Sequence, residues 1–194
     1  MRLPYTLSLL FVAALAGCVS VLPEPEAPDA LYSINAEQRF TTLSHNLVIR
    51  EPEAARLIAG QALVSEGADG GLRMIPGVEW SGPATRQIQM AMIDSFDPGA
   101  SASAFAPELG VLTDYELASR LSALHLREET AICQMVVNVI SSRDRTLMAR
   151  TEVMASAEAS SRAARDRALA LQQAASDCAA QASAFAINVL SAQP

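Results

Sequence analysis

Three cysteines, Cys18, Cys133 and Cys178, are the residues of this chain best suited to covalent modification. Cys18 follows directly on Leu-Ala-Gly, and Arg2 and an apolar run at residues 7–15 come before it. A positively charged start, a short apolar centre and small residues at a cleavage site are typical of a secretory signal peptide. The apolar run is too short to cross ~30 Å of hydrocarbon as a helix. We therefore expect residues 1–17 to be removed.

Residues 15–18 resemble the lipobox of bacterial lipoproteins. In that motif the cysteine thiol takes a diacylglycerol before the signal peptide is cleaved, and the resemblance assigns this lipidation to Cys18. Two or more acyl chains hold a protein stably on a membrane, whereas a single chain does not. The residue after Cys18 is Val19 and not aspartate. By the sorting rule known from enteric bacteria, a lipoprotein with this sequence is predicted to go to the outer membrane. The alternative is an ordinary secretory signal with a chance cysteine.

Cys133 and Cys178 remain as an even pair in a compartment that permits disulfides. Cys133 alternates with Met135 and other apolar residues on one strand face, and Cys178 lies in the apolar stripe of a helix. Both side chains should face one core, and a disulfide is feasible if their Cα atoms lie within about 7 Å. The alternative is two free, buried thiols that pack as small apolar residues.

The chain has few residues that could form a catalytic, cofactor-binding or metal site. His45 and His125 are its only histidines, and neither a Gly-x-Ser-x-Gly motif nor zinc-ligand spacing occurs. The glycine-rich residues 67–71 precede a predicted strand and the chain has no lysine, so they predict a hairpin turn and not a phosphate loop. Trp80 is expected to pack the entrance of a helix against a sheet, with stacking on a ligand as the alternative. We expect no enzymatic activity and no cofactor.

The charge of the chain restricts its partners. Removing Arg2 with the signal peptide leaves 13 arginines against 21 acids, a net charge of 13 − 21 = −8. Nucleic acids and anionic lipid surfaces attract an excess of cations, so neither is expected to bind this chain. Membrane attachment must therefore come from the acyl chains.

The hydrophobic pattern predicts one small α+β domain behind a tether. Residues 18–30 form an acylated, proline-rich tether, and residues 31–194 form the domain. Residues 84–96 and 157–190 have helical periodicity, while residues 115–121, 131–141 and 147–155 alternate as strands. Shorter strand candidates lie at residues 30–34, 46–50, 61–65 and 72–75. We predict a mostly antiparallel sheet with two helices packed on one face.

The order of these elements resembles the ABC-type transport auxiliary lipoproteins, some of which are attached to MCE-type lipid transporters. The residues that carry the resemblance are the lipobox, residues 31–34, residues 80–83 before a helix, residues 114–117 at the start of a strand, and the alanine-rich final helix. It covers nearly the whole mature chain, and none of its motifs is catalytic.

The resemblance implies a non-enzymatic, lipid-anchored periplasmic component of a system that moves lipids or other apolar compounds between envelope membranes. Its partners would be an MCE-domain protein or ABC transporter components. The resemblance leaves open whether the chain forms a homo-oligomer. Two alternatives remain. One is a structural or assembly lipoprotein of an outer-membrane complex, and the other is a tethered hydrolase.

Overall fold

The computed structural model describes residues 27–41, 43–97 and 102–193. The predicted signal peptide, Cys18 and most of the tether lie outside these residues, so the proposed boundaries at residues 17 and 30 stay predictions. In chain order the described residues form nine strands and three α-helices: β1 (Ala30–Tyr32), β2 (Leu47–Ile49), β3 (Glu53–Ala54), α1 (Arg56–Ala59), β4 (Ala62–Glu66), β5 (Leu72–Trp80), α2 (Ala84–Asp94), β6 (Ala104–Phe105), β7 (Tyr115–Arg127), β8 (Thr130–Ser141), β9 (Leu147–Glu158) and α3 (Ala164–Leu190).

Three long strands form the antiparallel meander that the sequence predicts. β7 pairs with β8 along its whole length, and β8 pairs with β9. The alternating apolar residues of β8 are fully buried on the face toward α3: Ala131, Cys133, Met135, Val137 and Val139. β7 and β9 are longer than predicted, and their pairing continues to Arg127 and Glu158.

The sheet as a whole is mixed, and the prediction of a mostly antiparallel sheet is wrong. The edge of β7 away from β8 is shared by β2, β3 and β4, and all three run parallel to β7. β1 pairs parallel with β5, and β6 pairs parallel with β2, while β4 and β5 form an antiparallel hairpin. Alternation identifies strands but not their neighbours, because parallel partners are joined through long crossovers.

The β4–β5 hairpin has the turn that the glycine-rich residues predict. Gly70 adopts a φ of 76°, and the Gly67 N–H donates to the Gly71 carbonyl at 2.8 Å. β5 then runs on to Trp80, well beyond the predicted strand at residues 72–75. The proline at position 76 is accommodated because the register with β4 shifts between Ala62 and Val64.

The structure has three α-helices where two were predicted, since a single turn, α1, follows β3. α3 lies against β8 and β9, and α2 packs on α3. α3 begins at Ala164 and not at residue 157, because residues 157 and 158 still pair with β8. Its buried stripe includes Ala168, Leu171 and Cys178, as the periodicity predicts.

The predicted apolar face of α2 is buried, with Ile88 and Met92 fully inaccessible. Gln89 is also fully buried, although its side chain is polar. Its side-chain amide donates to the Ile49 carbonyl at 2.7 Å and its carbonyl oxygen accepts from Arg86 at 2.5 Å. Both ends of the amide are therefore satisfied inside the domain, which removes most of the cost of burial.

Candidate interaction surface

The residues singled out from the sequence do not come together at one place. Trp80 is 1% exposed, so its ring packs in the core and has no free face for stacking on a ligand. Cys133 and Cys178 are free thiols, both fully buried. The hydrogen bond between them, together with burial, raises the pKa of Cys133 well above its usual value. A thiol held protonated in this way is a poor nucleophile.

No metal site is formed within the described part of the chain, where no three His, Cys, Asp or Glu side chains are grouped to hold an ion. The histidines lie near opposite ends of β7. The ring of His45 meets Tyr115 edge-on at 5.2 Å between centroids, and His125 Nε2 is 3.3 Å from Glu66 Oε2.

A buried carboxylate that sequence reasoning missed joins three segments at the start of β7. Glu116 is 5% exposed, with Arg50 Nε 2.6 Å from its Oε1 and Arg145 Nη1 2.7 Å from its Oε2. Burial raises the pKa of Glu116, but the two guanidinium groups outweigh this effect and the pKa lies below its ordinary value. The cluster ties β2 and the β8–β9 turn to β7, so it is structural.

The tether leaves the domain toward one end of the sheet. β5 runs antiparallel to β4, and β4 runs parallel to β7, so β5 begins beside the last residues of β7. The chain before β1 runs back along β5: the Asp29 N–H donates to the Gly77 carbonyl at 2.8 Å, and Ala27 lines the same cleft as Met74. We call the end formed by residues 67–71, 128–129 and 162–167 the tether end.

The tether end is charged. Arg127 pairs with Glu66 at 2.8 Å, and Arg162 pairs with Glu129 at 2.5 Å. Both pairs line an open cleft of about 880 Å³. On the neighbouring hairpin the Arg73 guanidinium lowers the pKa of Asp69 to about 2. Acids and arginines are interspersed here, as on an ordinary solvated surface.

The opposite end of the sheet, which we call the distal end, is formed by residues 110–114 and by the turn and strand start at residues 142–148, whereas residues 107–109 lie back along the sheet edge beside α2. The two segments meet where the Ser142 N–H donates to the Asp114 carbonyl at 2.8 Å. They carry four exposed apolar side chains: Val111 (38% exposed), Leu112 (96%), Leu147 (57%) and Met148 (40%); Leu109 (68%) is exposed beside α2. Single exposed apolar residues are common on protein surfaces.

Exposed apolar side chains also occur beside the segment that leads to the tether. Leu31 is 58% exposed on β1, and Met74 is 68% exposed on β5. No helix in the described ranges is both long enough and apolar enough to cross a membrane.

Three solved structures share this fold at low sequence identity. Protein XCC0632 from Xanthomonas campestris, described as DUF330, is 17% identical with a TM-score of 0.71, covering 84% of this chain and 94% of its own. An uncharacterized protein is 12% identical with a TM-score of 0.62, covering 84% and 99%. The hypothetical protein CT253 from Chlamydia trachomatis is 9% identical with a TM-score of 0.52, covering 76% and 99%.

The search of curated proteins gave no match. The model of one protein family, described as the ABC-type transport auxiliary lipoprotein component, matches residues 31–183. The match spans 183 − 31 + 1 = 153 of the 194 residues and contains the sheet except Ala30 of β1. It also follows closely on the lipobox-like residues 15–18. The chain therefore belongs to the family of ABC-type transport auxiliary lipoprotein components.

Proposed function

We propose that this protein is a lipid-anchored periplasmic auxiliary component of an ABC/MCE-type system that moves lipids or other apolar compounds between envelope membranes. The observation that carries the proposal is the family match over residues 31–183, preceded by a lipobox-like cysteine and a short tether. Cys18 would hold the protein on the membrane, and Val19 favours the outer membrane.

We further propose that the domain acts by binding a partner and not by catalysis or by carrying lipid itself. The cleft of about 880 Å³ at the tether end is open and lined by Glu66, Arg127, Arg162 and other polar groups. A lipid-carrying site would be concave and mostly apolar. The space between α3 and the sheet is filled by closely packed alanines and the side chains of β8. The cargo would therefore pass through the partner.

Purification of the full chain from membranes tests the function. We expect the wild type to co-purify with an MCE-domain protein or an ABC permease, each identified by mass spectrometry. The matched control is Cys18→Ser, which should not bring these partners down from the membrane fraction. Recovery of an outer-membrane β-barrel protein without any MCE or ABC component would favour the alternative, a structural or assembly lipoprotein.

Native mass spectrometry of the purified full chain tests the binding role separately. We expect no phospholipid beyond the acyl chains on Cys18. A stoichiometric, non-covalently bound phospholipid would contradict the docking role and show that the domain carries lipid itself.

A further inference from the structure

We propose that β9 pairs with β9 of a second copy of this chain across a two-fold axis, so that the two sheets join into one continuous sheet. β9 pairs with β8 along one edge, and no strand in the described part of the chain pairs with its other edge. Such an edge presents a row of unpaired backbone N–H and C=O groups, which are a template for a further strand. The inference goes beyond the proposed function and does not depend on it.

The free edge of β9 lacks most of the protection that edge strands of monomeric proteins carry. Such edges are usually very short, carry charges or proline, are twisted by bulges or are covered by another segment. β9 has 12 residues and contains neither proline nor glycine. Its single register shift against β8 lies at its start, between Leu147 and Ala149, so residues 149–158 pair regularly. Only its charges remain as protection, and they are of both signs.

The charges of β9 select one register for a second copy. In a continuous antiparallel sheet the two-fold axis passes one residue of each strand, because facing side chains must lie on the same face. With Arg150 or Glu152 at the axis, like charges would face each other, which destabilises a sheet. With Thr151 at the axis, Arg150 of each copy faces Glu152 of the other. Within residues 149–158 no other register pairs both of these side chains with opposite charges.

The same register brings apolar side chains together. Ala149 faces Val153 of the second copy, and Met154 lies beside Met148 of the second copy. Met154 is 61% exposed in the single chain, and Met148 is also exposed. Pairing therefore covers apolar side chains that the single domain leaves in water, which favours association.

Arg150 and Glu152 are available for ion pairs between the copies, because both side chains are exposed. Across the strand, the Gln134 side-chain amide donates to the Glu152 carboxylate. Arg150 makes no ion pair with any residue in the described ranges. Glu152 of the second copy supplies the charged partner that Arg150 lacks in the single chain.

The edge of β9 is open where the second strand would lie. A cleft of about 370 Å³ is lined by residues 154–156 of β9 and also by Gln38 and Gln181. This cleft leaves space for the start of the second β9. Because the axis reverses the second strand, the two tethers leave opposite ends of the dimer, and both reach one membrane when the strands lie along its surface.

Charge exchange tests the register. The full lipidated chain in detergent micelles is studied by native mass spectrometry and analytical ultracentrifugation over a range of concentrations, and we expect the wild type to form dimers. Arg150→Glu or Glu152→Arg alone places like charges opposite each other at two symmetric positions. Each should raise the dimer dissociation constant about tenfold or more. The matched control is Arg150→Glu/Glu152→Arg, which restores opposite charges and should return the constant to near the wild-type value. Circular dichroism checks that all variants keep the wild-type fold.

Disulfide trapping tests the pairing directly. Facing residues of an antiparallel pair have Cα atoms about 4.5–5.5 Å apart, within the range that a disulfide spans. A mixture of full-length Arg150→Cys and Glu152→Cys chains should therefore form a covalent dimer on oxidation. Each variant alone is the control, because a cysteine and its own copy are then two positions out of register and should cross-link far less.

A wild type that stays monomeric at every concentration would overturn the inference. Single charge variants that dimerise as well as the wild type would do the same, as would a double variant that dimerises as poorly as the single ones. Dimers or larger rings in which the mixed cysteine variants do not cross-link would show that another surface joins the copies.

Discussion

Cys133 of β8 and Cys178 of α3 interact inside the core, where both side chains are fully buried and the Cys178 thiol raises the pKa of Cys133. α3 is therefore packed on β8, and the only cysteine of the helix lies against the only cysteine of the sheet. The sequence places both residues on core-facing positions, and the structure brings the two thiols together. They are free in the structure, so the disulfide stays a prediction.

We predict that protein exported to an oxidising compartment forms the Cys133–Cys178 disulfide. A loop of 178 − 133 = 45 residues stabilises the folded state by about 4 kcal/mol in the chain-entropy model. The free energy of unfolding should fall when reductant is added to the wild type, but should not respond to reductant in Cys133→Ala/Cys178→Ala. Peptide mapping without reduction checks the bond directly, and recovery of both thiols unmodified would contradict it.

The Glu116 cluster predicts a pH-dependent stability. Folding lowers the pKa of this carboxyl below its ordinary value of 4.5, so the stabilisation is present above that pH and is lost as the pH falls through the folded-state pKa. Glu116→Gln should lower the free energy of unfolding by about 1–3 kcal/mol at neutral pH, because Arg50 and Arg145 then lose their charged partner. Urea unfolding at several pH values measures the cost.

The difference between the wild type and Glu116→Gln should shrink at acid pH, since the wild-type carboxyl is then also uncharged. Glu53→Gln is the matched control, because Glu53 is an exposed glutamate in β3. A gap between the wild type and Glu116→Gln that stays constant down to acid pH would show that the charge of Glu116 is not what stabilises the domain.

Gly77 is predicted to resist replacement. Its φ of 77° favours glycine, and an added Cβ would lie 2.7 Å from Asp29 Oδ2. Gly77→Ala should lower the free energy of unfolding by about 1–2 kcal/mol and loosen the segment that leads to the tether. Gly82→Ala is the control, because the φ of Gly82 is not positive and a Cβ there meets nothing within 4 Å. Equal urea midpoints for the two variants would contradict this explanation.

Cys18→Ser is predicted to abolish lipidation. Without the thiol, no diacylglycerol can be attached, and the protein should accumulate as unprocessed precursor or appear in the soluble fraction. Fractionation and intact mass of the variant and the wild type provide the measurement. A mature-sized Cys18→Ser protein that still sediments with membranes would show that something other than the acylated cysteine holds it there.

Features that depend on neighbouring residues were predictable from the sequence. The alternation in residues 131–141 identified β8 and its buried face, because successive side chains of a strand point to opposite sides. The periodicity of residues 84–96 identified α2, although the helix ends at Asp94, and Ile88 and Met92 are buried as expected. The lipobox is likewise a local pattern, which is why lipidation of Cys18 can be predicted without any coordinates.

Only the tertiary structure decided the features that depend on contacts between distant segments. Glu116 looks like a solvated residue of an alternating strand, but Arg50, 66 residues earlier, reaches it and allows its burial. Gln89 is buried because Ile49, 40 residues earlier, accepts its amide hydrogen bond. The mixed sheet has the same origin, since three short strands share one edge of β7. The placement of Leu112 at the end opposite the tether follows from that pairing, because the relative direction of distant strands is set by tertiary hydrogen bonds and not by local pattern.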